Sequence, residues 1–187
     1  MELSGYNFED VYKDLHISRL NLGCVMLDTE KLPEFTIDKD LLYFSPNPEM
    51  KYVQGQVSQR SPHITLLYGI QPGVKKWHVD RVLEGWELPE VKIKSVDHFD
   101  PELPNDPYYC VVAHVDVEDL LPAHKRLSFL PHINTYQEYK AHVTIAYIDK
   151  RKIDVDDFNR LKLDLFSLLN GVTLKPIKIN YGSNIGD

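Results

Sequence analysis

The sequence predicts one domain in which a β-sheet packs with helices, and three observations support this prediction. The chain of 187 residues suits a single hydrophobic core. Six runs are rich in β-branched and aromatic residues, while three other stretches have helical periodicity. One strand-like pattern also occurs twice, beginning at positions 63 and 142.

The predicted strands come first because they carry the repeated pattern. They span residues 22–28, 63–70, 91–99, 108–115, 142–148 and 173–180. Six strands are enough to form a sheet. Cys24 and Cys110 each lie within one of these apolar runs, so we expect buried free thiols rather than a disulfide or a metal pair.

The predicted helices span residues 74–86, 118–130 and 155–170. The last has apolar residues along one side, with Asp154 placed to cap its start and Gly171 to end it. Gly85 marks the end of the first helix. Pro122 fits the second helix only if it lies in the first turn.

Two stretches resist assignment, residues 29–62 and the proline-rich link 100–107. A loop as long as the first is more often a lid or a binding element than a plain connection. It also has room for a short helix or strand within residues 35–44. The second stretch has the character of a hinge between two halves of the domain.

Composition and missing motifs exclude several classes of function. A net charge of −7 argues against binding long nucleic acid, which relies on Lys and Arg contacts to phosphates. No basic leader and no apolar run of about 20 residues occurs, so we expect a cytoplasmic protein without a membrane anchor. Glycine-rich phosphate loops, a Gly-x-Ser-x-Gly elbow and metal-ligand spacings are missing, so we expect no cofactor and no metal.

The repeated pattern consists of two His-x-Thr triplets, His63-Ile64-Thr65 and His142-Val143-Thr144. Each is followed three residues later by a tyrosine, Tyr68 or Tyr147. With 8 histidines in 187 residues, chance predicts fewer than one such triplet. Because side chains alternate along a strand, His and Thr share one face of each strand. The same alternation predicts that both tyrosines point to the core side.

Paired imidazoles suit the cleavage of a phosphodiester. One can take a proton from the attacking oxygen while the other gives a proton to the leaving oxygen. Threonine hydroxyls can donate to the non-bridging oxygens, where negative charge develops. A single His-x-Thr in a strand is usually structural, whereas the matched pair favours catalysis. We therefore predict His63, Thr65, His142 and Thr144 as the catalytic set.

On these residues the chain resembles the 2H phosphoesterase superfamily, which is named for two His-x-(Thr/Ser) motifs. The resemblance implies a bilobal, pseudo-symmetric α+β fold, with antiparallel sheets around a central groove and helices outside. In the single domain 1–187, the lobes would span about 22–99 and 108–180, with a lid at 29–62. Unlike the family pattern, residues 29–62 show no convincing amphipathic helix before the first motif.

The resemblance also implies a substrate class, a phosphodiester next to a ribose 2′ position. Members act on RNA ends with 2′,3′-cyclic phosphate, on 2′-5′ oligoadenylates and, in phage anti-CBASS nucleases, on cyclic di- and trinucleotide signals. The acidic charge and the long loop favour a small nucleotide of the last kind. The alternatives are an RNA-end or oligoadenylate phosphodiesterase, a non-catalytic module that sequesters nucleotides, and a structural protein with accidental motifs. The oligomeric state is open.

Four further residues are candidates for substrate contacts. Arg60 precedes the first motif, and Tyr139 and Lys140 directly precede the second. Each could meet a phosphate or stack on a base. Tyr43, in the long loop, is a candidate base platform, with core packing as the alternative. The remaining histidines, including His114 and His124, are interpreted as structural or exposed.

Overall fold

A computed structural model describes residues 22–46, 57, 62–101, 106–133, 138–182 and 184–187. Within them, seven strands form one sheet with antiparallel neighbours, in the order β6-β3-β4-β5-β2-β1-β7. The strands are β1 (Gly23–Thr29), β2 (His63–Ile70), β3 (Val91–Phe99), β4 (Tyr108–Val115), β5 (His142–Asp149), β6 (Thr173–Leu174) and β7 (Pro176–Asn180). All six predicted runs are extended, and the α+β class is confirmed.

The run predicted as a single strand at 173–180 is divided by Lys175 into β6 and β7. β6 pairs with β3 at one edge of the strand order, and β7 pairs with β1 at the other. Since one residue separates them, the sheet must curl until its two edges meet at Lys175. This curvature makes one face of the sheet concave.

The three α-helices are α1 (Lys76–Val82), α2 (Leu121–Leu127) and α3 (Val155–Leu169), of which α2 and α3 cover the other face and α1 packs against α2. α2 packs on β2, and α3 packs on β3. Asp154 caps α3 by accepting a hydrogen bond from the Asp157 N–H at 2.8 Å, and Pro122 lies in the first turn of α2, as predicted. α1 and α2 are shorter than predicted. None of the helices in the described residues is long and apolar enough to cross a membrane.

β2 and β5 carry matching bulges. Val25 pairs with Leu67 and Met26 with Thr65, so Leu66 is an extra residue in β2. In β5 the extra residue is Ile145, since Val111 pairs with Ala146 and Val112 with Thr144. Both strands have the same burial pattern, with two consecutive buried residues at the bulge.

The bulges overturn the prediction for the two tyrosines. A bulge shifts the alternation of side chains by one residue. Tyr68 and Tyr147 are therefore half-buried on the same face as the His-x-Thr residues, instead of lying on the core side. Three side chains per strand, rather than two, line the concave face.

The two motifs are related by a local two-fold axis. Ile64 pairs with Val143, the central residues of the two triplets, in the antiparallel contact between β2 and β5. The predicted lobes 22–99 and 108–180 stay a prediction, and the pairings divide the sheet differently, because β3 pairs with β4, and β7 pairs with β1. One half of the sheet consists of β1, β2 and β7, and the other of β3, β4, β5 and β6. The link 100–107 therefore joins two strands of one half and is not a hinge between halves.

Candidate active site

The register between β2 and β5 brings the four predicted catalytic residues together. With Ile64 opposite Val143 in an antiparallel pair, His63 lies beside Thr144, and Thr65 lies beside His142. Side chains next to such a pair share one face of the sheet. All four side chains are half-buried on the concave face. Each imidazole is thus next to a threonine from the other strand.

The ring of His142 is held in one tautomer. Its Nδ1 lies 2.7 Å from the carbonyl oxygen of Lys140, which can only accept, so Nδ1 carries the proton. When the ring is neutral, Nε2 is then an acceptor. Burial lowers the pKa of His142, the hydrogen bond to the Lys140 carbonyl raises it, and the nearby His114 and His63 lower it further. Near neutral pH this ring is suited to accept a proton.

His63 has a different neighbour. Its partner in β1 is Asp28, which lies on the same face of the sheet. Both carboxylate oxygens of Asp28 accept hydrogen bonds from the Asn180 amide nitrogen, at 3.2 and 3.3 Å. β7 thereby holds the carboxylate that lies beside the first motif.

A cysteine accompanies each tyrosine in the groove. Cys110 pairs with Tyr147 and Cys24 pairs with Tyr68, each from the adjacent strand. Burial raises the pKa of Cys24 and raises that of Cys110 to about 11, although hydrogen bonds from Tyr147 and Thr144 oppose the second shift. Both cysteines are free, as predicted, but half-buried. Cys110 therefore acts as a neutral partner for the Thr144 hydroxyl.

Tyr139 does not have the position expected of a substrate contact. Its hydroxyl donates to the Thr65 carbonyl at 2.9 Å, and its ring stacks on His124 with centroids 4.1 Å apart. His124 in turn donates from Nδ1 to the Leu66 carbonyl at 2.7 Å. Both ring and hydroxyl of Tyr139 are engaged in holding the bulge of β2. This residue is a support for the first motif and not a free stacking surface.

Tyr43 has the position of the alternative expectation, core packing. The side chain is only 2% exposed and packs against Tyr108 with ring centroids 4.9 Å apart. The short predicted element exists as a 3₁₀ turn, Lys39–Leu41, after which Leu42 bridges to Ile148 and Tyr43 donates its N–H to the Tyr147 carbonyl at 2.9 Å. Tyr43 is therefore a packing residue of the wall beside β5 and has no face open to a base.

The remaining candidates are Lys140 and Arg60. The Lys140 side chain is exposed beside the groove, and its carbonyl orients His142. A phosphate contact by its ammonium group stays a prediction. Arg60 lies outside the described residues.

Sequence reasoning missed a third histidine in the groove. His114 pairs with His142 across β4 and β5, with ring centroids 6.3 Å apart, and Phe99 meets both rings edge-on at 5.7 and 5.0 Å. Alternation in β4 places His114 on the same face as Cys110, but nothing in the sequence says which strand lies beside it. Among the described residues, no group of three His, Cys, Asp or Glu side chains is placed to hold a metal ion.

No family model matches the sequence, and no curated protein matches it significantly. Among solved structures, the chain is similar to Usb1 of Kluyveromyces marxianus, at 10% identity and a TM-score of 0.47, over 85% of this chain and 92% of that one. A structure of the same protein with uridine monophosphate matches at 9% identity and a TM-score of 0.42, over 82% and 86% of the two chains. At such low similarity, activity has to be argued from the groove itself.

Proposed function

We propose that this protein is a 2H-type phosphodiesterase that cleaves small nucleotides carrying a ribose 2′-hydroxyl, and that it needs no metal ion. The observation that carries this proposal is the crossed pairing of the two motifs about the contact between Ile64 and Val143. It sets two imidazoles and two hydroxyls around one point on the concave face. A single phosphate at that point can be reached from both strands.

The proposed reaction is a proton transfer at each end of a phosphoryl transfer. One imidazole removes the proton from the attacking oxygen, either a 2′-hydroxyl or a water, as that oxygen bonds to phosphorus. The other imidazole, in its protonated form, donates to the leaving oxygen as the second P–O bond breaks. Attack by the 2′-hydroxyl yields a 2′,3′-cyclic phosphate and a free hydroxyl, whereas attack by water yields a phosphomonoester.

Thr65 and Thr144 are suited to stabilise the transition state. Each lies beside the histidine of the other strand, so their hydroxyls can donate to the two non-bridging oxygens. The neutral Cys110 thiol lies next to the Thr144 hydroxyl and can donate to its oxygen, which leaves the Thr144 proton for the phosphate. Since the protein holds these donors before substrate arrives, little reorganisation accompanies the reaction.

For the substrate we propose a cyclic di- or trinucleotide signal, which would make the protein an anti-CBASS enzyme. Two features support a small ligand. The net charge of −7 disfavours a long polyanion. In addition, part of the 29–62 segment lies against β5, through bridges from Leu42 to Ile148 and from Val57 to Ala146. Leu42 and Val57 form a wall near Tyr147 that would limit how much of a polymer could lie along the groove.

The test is incubation of purified protein in excess EDTA with a panel of substrates. The panel contains 3′,3′- and 2′,3′-cyclic dinucleotides, cyclic trinucleotides, 2′-5′ oligoadenylate and RNA ending in a cyclic phosphate. His63→Ala and His142→Ala are each expected to lose at least about 10²–10⁴-fold in kcat/KM. His78→Ala removes an imidazole from α1, outside the groove, and is the matched control.

The outcomes separate the candidate functions. Turnover of a cyclic dinucleotide or trinucleotide supports the proposal, while turnover of cyclic-phosphate RNA or of 2′-5′ oligoadenylate alone would reassign the substrate. Binding without turnover would favour a sequestering module. If the parent cleaves nothing, or both histidine variants cleave as well as His78→Ala, the enzymatic proposal is wrong.

A further inference from the structure

His114 is an ionisable groove residue that the proposed reaction does not use. It lies on β4, directly opposite His142, and is half-buried on the concave face. The two ring planes are inclined by 72° at a centroid distance of 6.3 Å. Phe99 contacts both rings by its edge and closes the space beside them on β3. The second motif therefore has a third imidazole as its immediate neighbour.

Two consecutive carbonyls face the two rings. The His142 ring donates from Nδ1 to the Lys140 carbonyl at 2.7 Å, and the next carbonyl, that of Ala141, faces His114 and raises its pKa. The His142 ring cannot turn without losing its hydrogen bond. In this arrangement the nitrogen of His142 that is free for the substrate is Nε2, which carries no proton while the ring is neutral.

Among the described residues, the other half of the groove has no such imidazole. The residue of β1 opposite His63 is Asp28, in the place that corresponds to His114 opposite His142. The four catalytic candidates obey the local two-fold symmetry, but the residues beside them do not. One motif adjoins a carboxylate and the other adjoins a group that can only be neutral or positive.

We propose that His114 is a positioning residue that keeps His142 neutral before the reaction, so that His142 is the proton acceptor and His63 the proton donor. The proposal rests on the proposed function. It names the direction of proton transfer, which the symmetry of the two motifs leaves undecided. The reason is electrostatic: a second positive charge next to His114 is unfavourable in a half-buried groove.

The charged and titratable groups around His114 and His142 also favour His142 as the proton acceptor. His142 faces His114 on β4 and His63 on β2, and both oppose its protonation. Burial lowers the pKa of His114; Asp97 raises it, and Lys94 and Lys140 lower it. The Asp97 carboxylate is also engaged by the His98 N–H at 2.8 Å and by the Lys162 ammonium at 3.7 Å.

In the resulting step, Nε2 of neutral His142 takes the proton of the attacking hydroxyl while that oxygen bonds to phosphorus. Protonated His63 gives its proton to the leaving oxygen as that bond to phosphorus breaks. His142 ends the step protonated and His63 ends it neutral. Exchange of one proton with solvent at each ring restores the starting state, so protons balance over the cycle.

The first experiment identifies the donor with an activated leaving group. Nitrophenolate leaves without being protonated, so a ribonucleoside 3′-(4-nitrophenyl phosphate) needs a proton acceptor but no donor. On the panel substrate that the parent cleaves, we expect His63→Ala to lose about 10²–10⁴-fold in kcat/KM. On this ester we expect the loss to be less than about tenfold. We expect His142→Ala to lose most of its kcat/KM on both substrates. The reverse pattern, or equal losses for both variants on both substrates, would overturn the assignment.

The second experiment needs no substrate. His114→Gln keeps an N–H that can donate to the Ala141 carbonyl but removes the imidazole, and His114→Asp places a carboxylate where the other half has one. The titration of His142 is followed by NMR of its ring, assigned with His142→Ala. We expect the midpoint to rise by about one pH unit in His114→Gln and further in His114→Asp. The acid limb of kcat/KM should move by the same amount.

The two experiments fail in different ways. An active parent whose His142 midpoint does not move in either His114 variant overturns this inference and leaves the proposed function standing. A parent that cleaves no substrate overturns the proposed function and the reaction roles with it, and the NMR titration still decides whether His114 controls His142. A loss of folding in either variant would appear as loss of dispersion in the same spectra, and the other variant then provides the answer.

Discussion

The β2 and β5 sides of the groove share one backbone plan but are supported differently. Both have His and Thr before a bulge and Tyr after it, with a cysteine opposite the tyrosine. At β2, two side chains hold the bulge, since Tyr139 donates to the Thr65 carbonyl and His124 to the Leu66 carbonyl. At β5, backbone lies at the bulge instead, where Val57 bridges to Ala146. The repeat thus extends to the residues that face the groove and not to their supports.

This difference has a physical cause. A bulge leaves backbone groups without partners in the ladder, and buried groups of this kind need a hydrogen bond from elsewhere. Any donor with the right geometry satisfies the need, whether a side chain or a strand edge. In the proposed reaction, the residues that would contact the phosphate have no such freedom, because their geometry would determine the rate. The groove residues therefore match between the two sides while their supports differ.

The largest expected effect of a substitution on either side of the groove is on activity. Thr65→Val and Thr144→Val each remove one hydroxyl and keep the β-branched shape, so we expect each to lower kcat/KM by about 10²–10³-fold. Similar losses for both variants would show that the two halves contribute equally at the phosphate. Thr173→Val, at an exposed strand position of β6, is the control and should retain parental activity. A loss below twofold in either groove variant would contradict the proposed role of that threonine.

The next largest expected effect is on the free energy of unfolding and concerns a glycine of β2. Gly69 has φ +90°, and an added Cβ there would meet the carbonyl oxygen of Ile133. Gly73 has φ +97° with open space around the same position. We expect Gly73→Ala to cost about 1–2 kcal/mol from backbone strain alone. Gly69→Ala should cost clearly more, because the clash adds to the strain.

Urea unfolding of both glycine variants measures the difference. The β5 side has Ile148 at the position that corresponds to Gly69, so the constraint belongs to one half only. Equal free energies of unfolding for Gly69→Ala and Gly73→Ala would show that the contact with Ile133 is unimportant.

A smaller effect is expected from the support of the β2 bulge. Tyr139→Phe keeps the ring against His124 and removes the hydrogen bond to the Thr65 carbonyl, which should cost about 1 kcal/mol in unfolding free energy. Tyr139→Leu also removes the stacking and should cost more. If Tyr139→Phe were as stable as the parent, the hydroxyl would have no supporting role. The phenol itself stays protonated, since burial raises its pKa.

The smallest effect concerns stability against pH on the β5 side. Burial, first among the causes, lowers the pKa of both His142 and His114 in the folded protein. As the pH falls through about 6.5, the unfolded chain binds these protons before the folded protein does, so stability decreases. In His114→Gln one of the two groups is gone, and the loss of stability between about pH 7 and 5.5 should be smaller. Urea midpoints across that range, compared with His78→Ala, measure it.

The sequence predicted where the strands lie better than it predicted which strands pair with each other. β2, β3 and β4 have the bounds expected from their β-branched and aromatic runs, at 63–70, 91–99 and 108–115. These are local properties of the chain. What the sequence could not predict is of another kind: the strands that form each half, the direction of the two tyrosines, and the packing of Tyr43 and Tyr139 all depend on which segments meet.

The sequence alone is sufficient to predict two His-x-Thr strands, each with both residues on one face. Local alternation is sufficient for that. Only the tertiary structure decided that the strands meet at Ile64 and Val143, that bulges turn Tyr68 and Tyr147 into the groove, and that His114 lies beside His142. Strand pairing joins residues that are far apart in the chain, and a single extra residue in one strand reverses the direction of every side chain that follows.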